Sequence, residues 1–266
     1  MFDRYNREIT YLRISVTDRC NLRCRYCMPE EGVESMRHED ILSFEEIAEF
    51  VRRGAAQGIT KVRLTGGEPL VRQGIVGLVH MLAQIEGIEE VAMTTNGILL
   101  EQFAPKLKEA GLSRVNISLD TTDPEKYSYI TRGGDIDAVF RGIDAALKYG
   151  LTPVKLNCVI RNSEDEEDAQ LVTEFAKMKG LKVQYIHQMD LETGSFSQVK
   201  NGEGGNCRSC NRIRLMANGC VKPCLFNPKG FNVRQYGFDE ALQLAVENKP
   251  KSGSRNQTGA FYKIGG

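Results

Sequence analysis

The hydrophobic positions of this 266-residue chain fall into two alternating patterns. Short runs rich in Val, Ile and Leu, at Leu12–Val16, Lys61–Leu64, Val91–Thr94, Val115–Leu119, Val154–Ile160 and Val183–Ile186, predict six strands. Runs this apolar are expected of strands buried on both faces. Between them, apolar residues recur at helical spacing. Ser43 with Glu46 three residues on forms a capping box; Phe44, Ile47, Phe50 and Val51 then mark one helical face, and Gly58 closes it. Further helices are predicted over Gly74–Ile85, Glu101–Ala110, Ala138–Tyr149 and Asp165–Met178, with a short one near Phe238–Glu247.

Strand–helix units in series predict an α/β fold built on a parallel sheet with right-handed crossovers. Six units are fewer than the eight of a closed barrel, so an open partial barrel and a doubly wound sheet both fit. In either, ligands collect at the carboxyl ends of the strands. The loop Thr17–Cys27, Gly66-Gly67-Glu68-Pro69, Thr94-Thr95-Asn96-Gly97 and Ser118-Leu119-Asp120 all fall there, which predicts one shared site. The pattern changes after Met189: Asp190 to Gly205 has little periodicity and four glycines, as a linker or lid would. The division expected is residues 1–190 as the barrel and 191–266 as a small C-terminal region.

Charge and composition narrow the function classes. Lys and Arg total 35 against 35 Asp and Glu, which argues against a broad nucleic-acid face or a polybasic membrane anchor. No apolar run approaches the length of a bilayer span, and the first residues lack a signal-peptide core, so a cytoplasmic protein is expected. Of eight cysteines, six form two tight groups. In a chain long enough to bury a core, that favours metal or cluster ligation in a reducing compartment over disulfides.

Cys20, Cys24 and Cys27 are spaced C-x3-C-x2-C directly after the first strand. Three thiolates on one loop can hold three corners of a [4Fe–4S] cluster and leave one iron open, whereas such clusters normally take four Cys ligands. The glycines of Gly66-Gly67-Glu68-Pro69 allow backbone to approach a ligand, with exposed N–H groups available to an anion or carboxylate. The second group is Cys207-x2-Cys210 and then Cys224 after thirteen residues. Asn218-Gly219 reads as a hairpin turn that returns Cys224 toward Cys207. Because Cys220 offers a fourth thiolate, spacing alone leaves zinc and iron–sulfur both open.

The cysteine loop with aromatic Tyr26 before its last Cys, followed by Gly-Gly-Glu-Pro, resembles the radical S-adenosylmethionine (SAM) superfamily. The runs Leu12–Cys20, Cys207-Arg208-Ser209-Cys210-Asn211-Arg212-Ile213-Arg214-Leu215 and Pro223-Cys224-Leu225-Phe226, and the final Ile264-Gly265-Gly266, are similar to the GTP 3′,8-cyclase (MoaA) family of molybdenum cofactor biosynthesis. The resemblance implies a partial (β/α)6 TIM-like barrel and a lyase that cyclises GTP with a 5′-deoxyadenosyl radical. It implies two [4Fe–4S] clusters, on Cys20, Cys24 and Cys27 and on Cys207, Cys210 and Cys224. It further implies SAM contacts at Tyr26, Gly67, Glu68, Thr94, Ser118 and Met189, and GTP contacts at Arg13, Lys61, Arg63, Lys155, Arg212 and Arg214. Catalytic roles are implied for Arg212, Arg214, Gly265 and Gly266, the last two as a tail reaching the active site. A flavodoxin or ferredoxin as one-electron donor and a downstream pterin-forming synthase are the implied partners.

Strand alternation puts Lys61 and Arg63 on one face, where a bound anion would explain two cations on a buried surface. The chain departs from the family in three ways. Gln184 stands where an Arg is usual, several dozen residues are missing before Cys207, and Cys220 replaces a turn residue. These departures allow a paralogue acting by the same chemistry on another nucleotide or a peptide. Cys158, inside an apolar strand, reads as a core thiol.

Overall fold

The computed structural model describes residues 1–32, 35–188, 197–202 and 204–253, so Met189, Gly265 and Gly266 lie outside the described residues. Six strands run parallel in sequence order: β1 (Tyr11–Ser15), β2 (Lys61–Thr65), β3 (Glu90–Thr95), β4 (Arg114–Ser118), β5 (Lys155–Ile160) and β6 (Lys182–His187). Between them come α1 (Phe44–Ala56), α2 (Ile75–Ala83), α3 (Leu100–Glu109), α4 (Pro124–Thr131) with α5 (Ile136–Lys148), and α6 (Glu167–Met178). The chain then adds β7 (Arg212–Leu215), β8 (Cys220–Lys222), β9 (Phe231–Asn232), α7 (Val233–Tyr236) and α8 (Phe238–Glu247).

Each predicted strand and helix forms, with boundaries shifted by a few residues. The capping box at Ser43 is complete: its side chain accepts from the Glu46 N–H while the Glu46 carboxylate accepts from the Ser43 N–H. Helix α4 went unread, although Asp123 caps it and Pro124 occupies its first turn, a pair that marks helix starts. Cys158 is fully buried in the core, as expected.

The burial expected on both faces holds at the centre of the sheet, where Arg63, Asn116 and Arg214 are buried along with their apolar neighbours, but only one face is apolar. Alternate residues such as Leu12 and Ile14, Val62 and Leu64, Val115 and Ile117, and Ile213 and Leu215 point outward and pack with the helices in one core cluster. Their neighbours on the opposite face are polar: Tyr11 and Arg13, Lys61 and Arg63, Asn116 and Ser118, Lys155 and Asn157, Arg212 and Arg214. Read as whole runs, the strands are apolar enough to suggest double burial; read by alternation, they carry a polar lining. One face holds the fold together and the other is available for chemistry.

The sheet is wider than the six strands anticipated. Its order is β6-β5-β4-β3-β2-β1-β7-β8-β9, with β7 parallel to β1 and the β7–β8–β9 turns antiparallel. The hairpin predicted at Asn218-Gly219 is present, with β7 starting earlier than anticipated, at Arg212, and Gly219 at φ +81°. β6 forms one edge of the open sheet, where Tyr185 exchanges backbone hydrogen bonds with Lys200 (3.1 Å each way). On the helical side, α8 lies against α1 through an edge-to-face contact of Phe50 with Phe238 (centroids 6.2 Å apart).

Candidate active site

The carboxyl ends of β1 to β4 carry the first cysteine loop and the loops packed around it. The loop is held by backbone. The N–H groups of Gly67 and Glu68 donate to the Thr17 and Arg19 carbonyls (2.8 Å each). A Cβ on Gly67 would lie 2.3 Å from the Arg19 carbonyl oxygen, and one on Gly66 2.7 Å from that of Thr17. The two glycines are therefore required for the close approach of two loops. The N–H groups anticipated as anion donors are already engaged, because parallel strands β1 and β2 bring their following loops side by side.

From the other side, the end of α4 grips the same loop. Arg23 and Arg25 donate backbone N–H groups to the Thr131 and Ile130 carbonyls (3.2 and 2.9 Å), and the Arg132 guanidinium reaches the Arg23 and Met28 carbonyls (2.6 and 3.0 Å). The Cys24 carbonyl accepts from the N–H groups of Cys27 and Met28, closing a tight turn. The Leu22 N–H points at Cys20 Sγ (3.4 Å).

Two carboxylates stand at this end, Glu68 buried and Asp120 half-buried. Glu68 accepts from the Leu70 N–H, the Thr95 hydroxyl and the Asn96 N–H (3.0, 2.8 and 2.7 Å), tying the β2 loop to the β3 loop. Burial pushes it up to about 7. Asp120 accepts from Tyr26 Oη (2.7 Å) and the Val159 N–H (2.8 Å), and burial pushes it up to about 6. Tyr26 is thus oriented by the β4 loop. Burial likewise raises Cys20 to about 11, reinforced by Glu68 and Cys27, and Cys24 to about 12, reinforced by Cys27, Asp120 and Cys20. These thiols stay protonated until a cation joins them, and loading with metal releases their protons.

The middle of the lining face is cationic. Strand register sets Arg214 of β7 beside Arg13 of β1 and Arg13 beside Arg63 of β2; one step toward the amino ends, Arg212, Tyr11 and Lys61 form the next row. Arg63 and Arg214 are 7% and 9% exposed. The Nε atoms of Arg13 and Arg63 are buried without a hydrogen-bond partner. Burial and the Arg214 charge lower Arg13 well below the ordinary guanidinium value. Tyr11, missed in the sequence, stands among these arginines; burial would raise it, but Arg63, Arg13 and Arg212 together lower it. Lys61 departs from expectation. It shares the face of Arg63 but is exposed, because it opens β2 at the strand's amino end. Lys155 lines β5 in register with Asn116.

Thr94 Oγ1 accepts from the Arg63 guanidinium (3.3 Å), joining the cationic row to the β3 end of the cysteine site. Ser118 ends β4 on the same face. At Gln184, where an Arg was anticipated, the Asn116 side-chain amide donates to Asn157 Oδ1 and Gln184 Oε1 (3.1 Å each), and Gln184 Nε2 donates to the Asn201 carbonyl (3.1 Å). Three amide side chains meet there, and the Arg114 guanidinium closes the group by donating to Asn116 Oδ1 (3.0 Å).

The second cysteine set lies at the opposite mouth. Cys207 and Cys210 precede β7, which runs parallel to β1, and Cys224 follows the antiparallel β8. All three therefore sit by the amino ends of the strands, with the arginine rows between them and the first set. Burial would raise Cys210, but the Lys249 ammonium and Arg212 outweigh it and bring it down to about 7. Cys220 packs with Cys224 against Met216 and Phe226, and its sulfur lies against Gly230, where a Cβ would meet it at 2.2 Å. Among the described residues, no three His, Cys, Asp or Glu side chains converge on a single metal ion.

Comparison with known proteins shows the family. The radical SAM superfamily profile matches residues 14–176. Curated GTP 3′,8-cyclases align over nearly the full length: that of Alkaliphilus metalliredigens is 41% identical, covering 99% of this chain and 93% of the relative. That of Moorella thermoacetica is 44% identical over 85% of this chain and 84% of its own. The chain belongs to the GTP 3′,8-cyclase family of radical SAM proteins. Membership implies an iron–sulfur cluster and SAM, and the residues of the first site fit them: three thiols on one clamped loop and an N–H aimed at sulfur. The Alkaliphilus alignment extends over 305 positions although this chain has 266 residues, so the relative carries several dozen residues with no counterpart here. Solved structures share the fold at low identity. They include anSMEcpe with bound AdoMet (17% identity, TM-score 0.67, 90% of this chain and 81% of that one) and Streptococcus suis SuiB bound to its precursor peptide SuiA (15%, 0.66, 91% and 65%). Among the described residues, no helix is long and apolar enough to cross a membrane.

Proposed function

We propose that this chain cyclises GTP by radical SAM chemistry, the reaction for which its relatives are named. Cys20, Cys24 and Cys27 hold a [4Fe–4S] cluster, with SAM bounded by Tyr26, Gly67, Glu68, Thr94, Ser118 and Met189. When bound, the two together supply a 5′-deoxyadenosyl radical that takes a ribose hydrogen. The chain binds and orients the nucleotide. Arg13, Arg63 and Arg214 hold its phosphates, with Lys61 and Lys155 at the margins and Arg212 beside Tyr11. Cys207, Cys210 and Cys224 would hold a second iron–sulfur cluster. Residues 1–190 serve as the barrel and 191–266 as the region bearing the second cluster and the Gly265-Gly266 tail. A flavodoxin- or ferredoxin-type donor supplies the electron, and a pterin-forming synthase consumes the product.

The observation that carries this reading is the row Arg63–Arg13–Arg214, with two buried Nε donors lacking partners. Adjacent buried guanidinium groups repel and are desolvated. A polyanion with several acceptor oxygens relieves both penalties, and phosphate matches the guanidinium fork.

Anaerobic reconstitution with iron and sulfide, then addition of SAM, dithionite and GTP, tests the proposal. The expected result is 5′-deoxyadenosine together with a new GTP-derived product by mass analysis. SAM cleavage without any change to GTP would refute the assignment of GTP. The amide cluster at Gln184 favours one second reading, the same chemistry on a nucleotide with a different phosphate load. Binding of GTP weaker than that of another nucleotide would select it. Deleting Gly265-Gly266 is expected to abolish product while iron content stays unchanged.

A further inference from the structure

Lys249 follows α8 and is 2% exposed. An ammonium so removed from water is strongly disfavoured unless its donors are satisfied. It carries three protons and meets three acceptors: Cys210 Sγ at 3.3 Å, the Arg212 carbonyl at 2.6 Å and the Pro223 carbonyl at 3.1 Å. Those acceptors lie on both limbs of the second cysteine set. Cys210 ends the C-x2-C turn, Arg212 opens β7, and Pro223 directly precedes Cys224.

The segment around Lys249 is itself clamped to the same site. Arg7, anchored by Asp3, donates to the Pro250 and Lys251 carbonyls (2.7 and 3.2 Å) and to the Cys207 carbonyl (2.6 Å). The Gly253 N–H points at Cys207 Sγ (3.4 Å). The two carbonyls need only neutral donors, so the fold alone does not call for a buried charge, whose desolvation is costly. A positive charge and hydrogen bonds directed at a ligand sulfur favour the reduced, more negative state of an iron–sulfur group and raise its potential.

We propose that Lys249 is the positioning residue of the second cysteine set, locking Cys210 and the Cys224 limb in place and raising the reduction potential of the iron–sulfur group they bind. The proposal rests on reading Cys207, Cys210 and Cys224 as cluster ligands. The lysine touches neither substrate nor SAM; it acts through Cys210.

The test uses the full chain with Cys20, Cys24 and Cys27 replaced by alanine, so that only the second set can load. Iron content and the midpoint potential, followed by electron paramagnetic resonance during redox titration, are compared with and without Lys249→Met. The expected result is retained iron with a more negative midpoint, or lost iron in a protein whose melting temperature and far-UV circular dichroism are those of the parent. An unchanged or more positive midpoint overturns the proposal, as does iron loss that only accompanies unfolding. If Lys249→Met does not fold, Lys249→Gln, which keeps a donor toward the carbonyls but no charge, is read by the same criteria. A parent that binds no iron at these cysteines refutes the cluster reading itself; a parent whose iron is indifferent to the substitution refutes only the role of Lys249.

Discussion

Two residues at the cysteine loop show how tightly the local chemistry is constrained. Gly67 has no room for a methyl group against the Arg19 carbonyl, so Gly67→Ala forces the loops apart. The expected loss is about 1–3 kcal/mol of stability, with SAM cleavage abolished, measured by denaturant unfolding and by 5′-deoxyadenosine yield. Asp120 gives a pH signature. Burial lifts it from 3.8 to about 6, so between those values the folded chain keeps a proton that the unfolded chain releases. Stability of the metal-free protein therefore falls as pH rises through that window, by up to about 3 kcal/mol from this group. Glu68, lifted to about 7, acts in the same direction. Asp120→Asn is expected to flatten the fall between pH 4 and 6 in urea titrations; an unaltered slope would show that this carboxyl is not its source.

At the scale of elements, local signals were the most legible. The capping box at Ser43 was readable because both partners lie within one turn. Ser43→Ala removes one half of it. The expected cost is about 1 kcal/mol and a melting point about 2–4 °C lower, with SAM cleavage unaffected, since α1 lies on the outer layer away from the cysteines. Strand faces were harder to read. The Val, Ile and Leu content of β1 and β2 suggested apolar packing on both sides, whereas Arg13 and Arg63 make the lining face polar. Lys249 carries no signal of its own in sequence: a lysine after a helix looks like any solvated residue until the fold closes over it.

For the whole molecule, function and stability oppose each other in the arginine row. Arg13→Met removes a buried charge flanked by Arg63 and Arg214. The ligand-free protein is expected to melt higher, while GTP affinity falls about 10–100-fold through loss of charged hydrogen bonds. Calorimetry of both quantities checks the pair, and a lower melting point would mean that the row is balanced from within the protein. The distance between the two cysteine sets follows from topology. Because β7 runs parallel to β1 and β8 returns antiparallel, Cys207, Cys210 and Cys224 come to the mouth opposite Cys20, Cys24 and Cys27.

The sequence by itself determined what is local in cause: the strand–helix alternation, the C-x3-C-x2-C loop at a strand's carboxyl end, the family, and the cations that line the strands. Periodicity, capping and ligand spacing are set by neighbours within a few residues, so they can be read without the fold. Only the tertiary structure decided that the polar strand faces are gathered into one buried row, that the Gly66-Gly67 backbone binds the cysteine loop, that the two cysteine sets sit at opposite mouths, and that Lys249 is buried against Cys210. Each of these depends on pairing between segments distant in the chain, and no local pattern encodes which strand will lie beside β1.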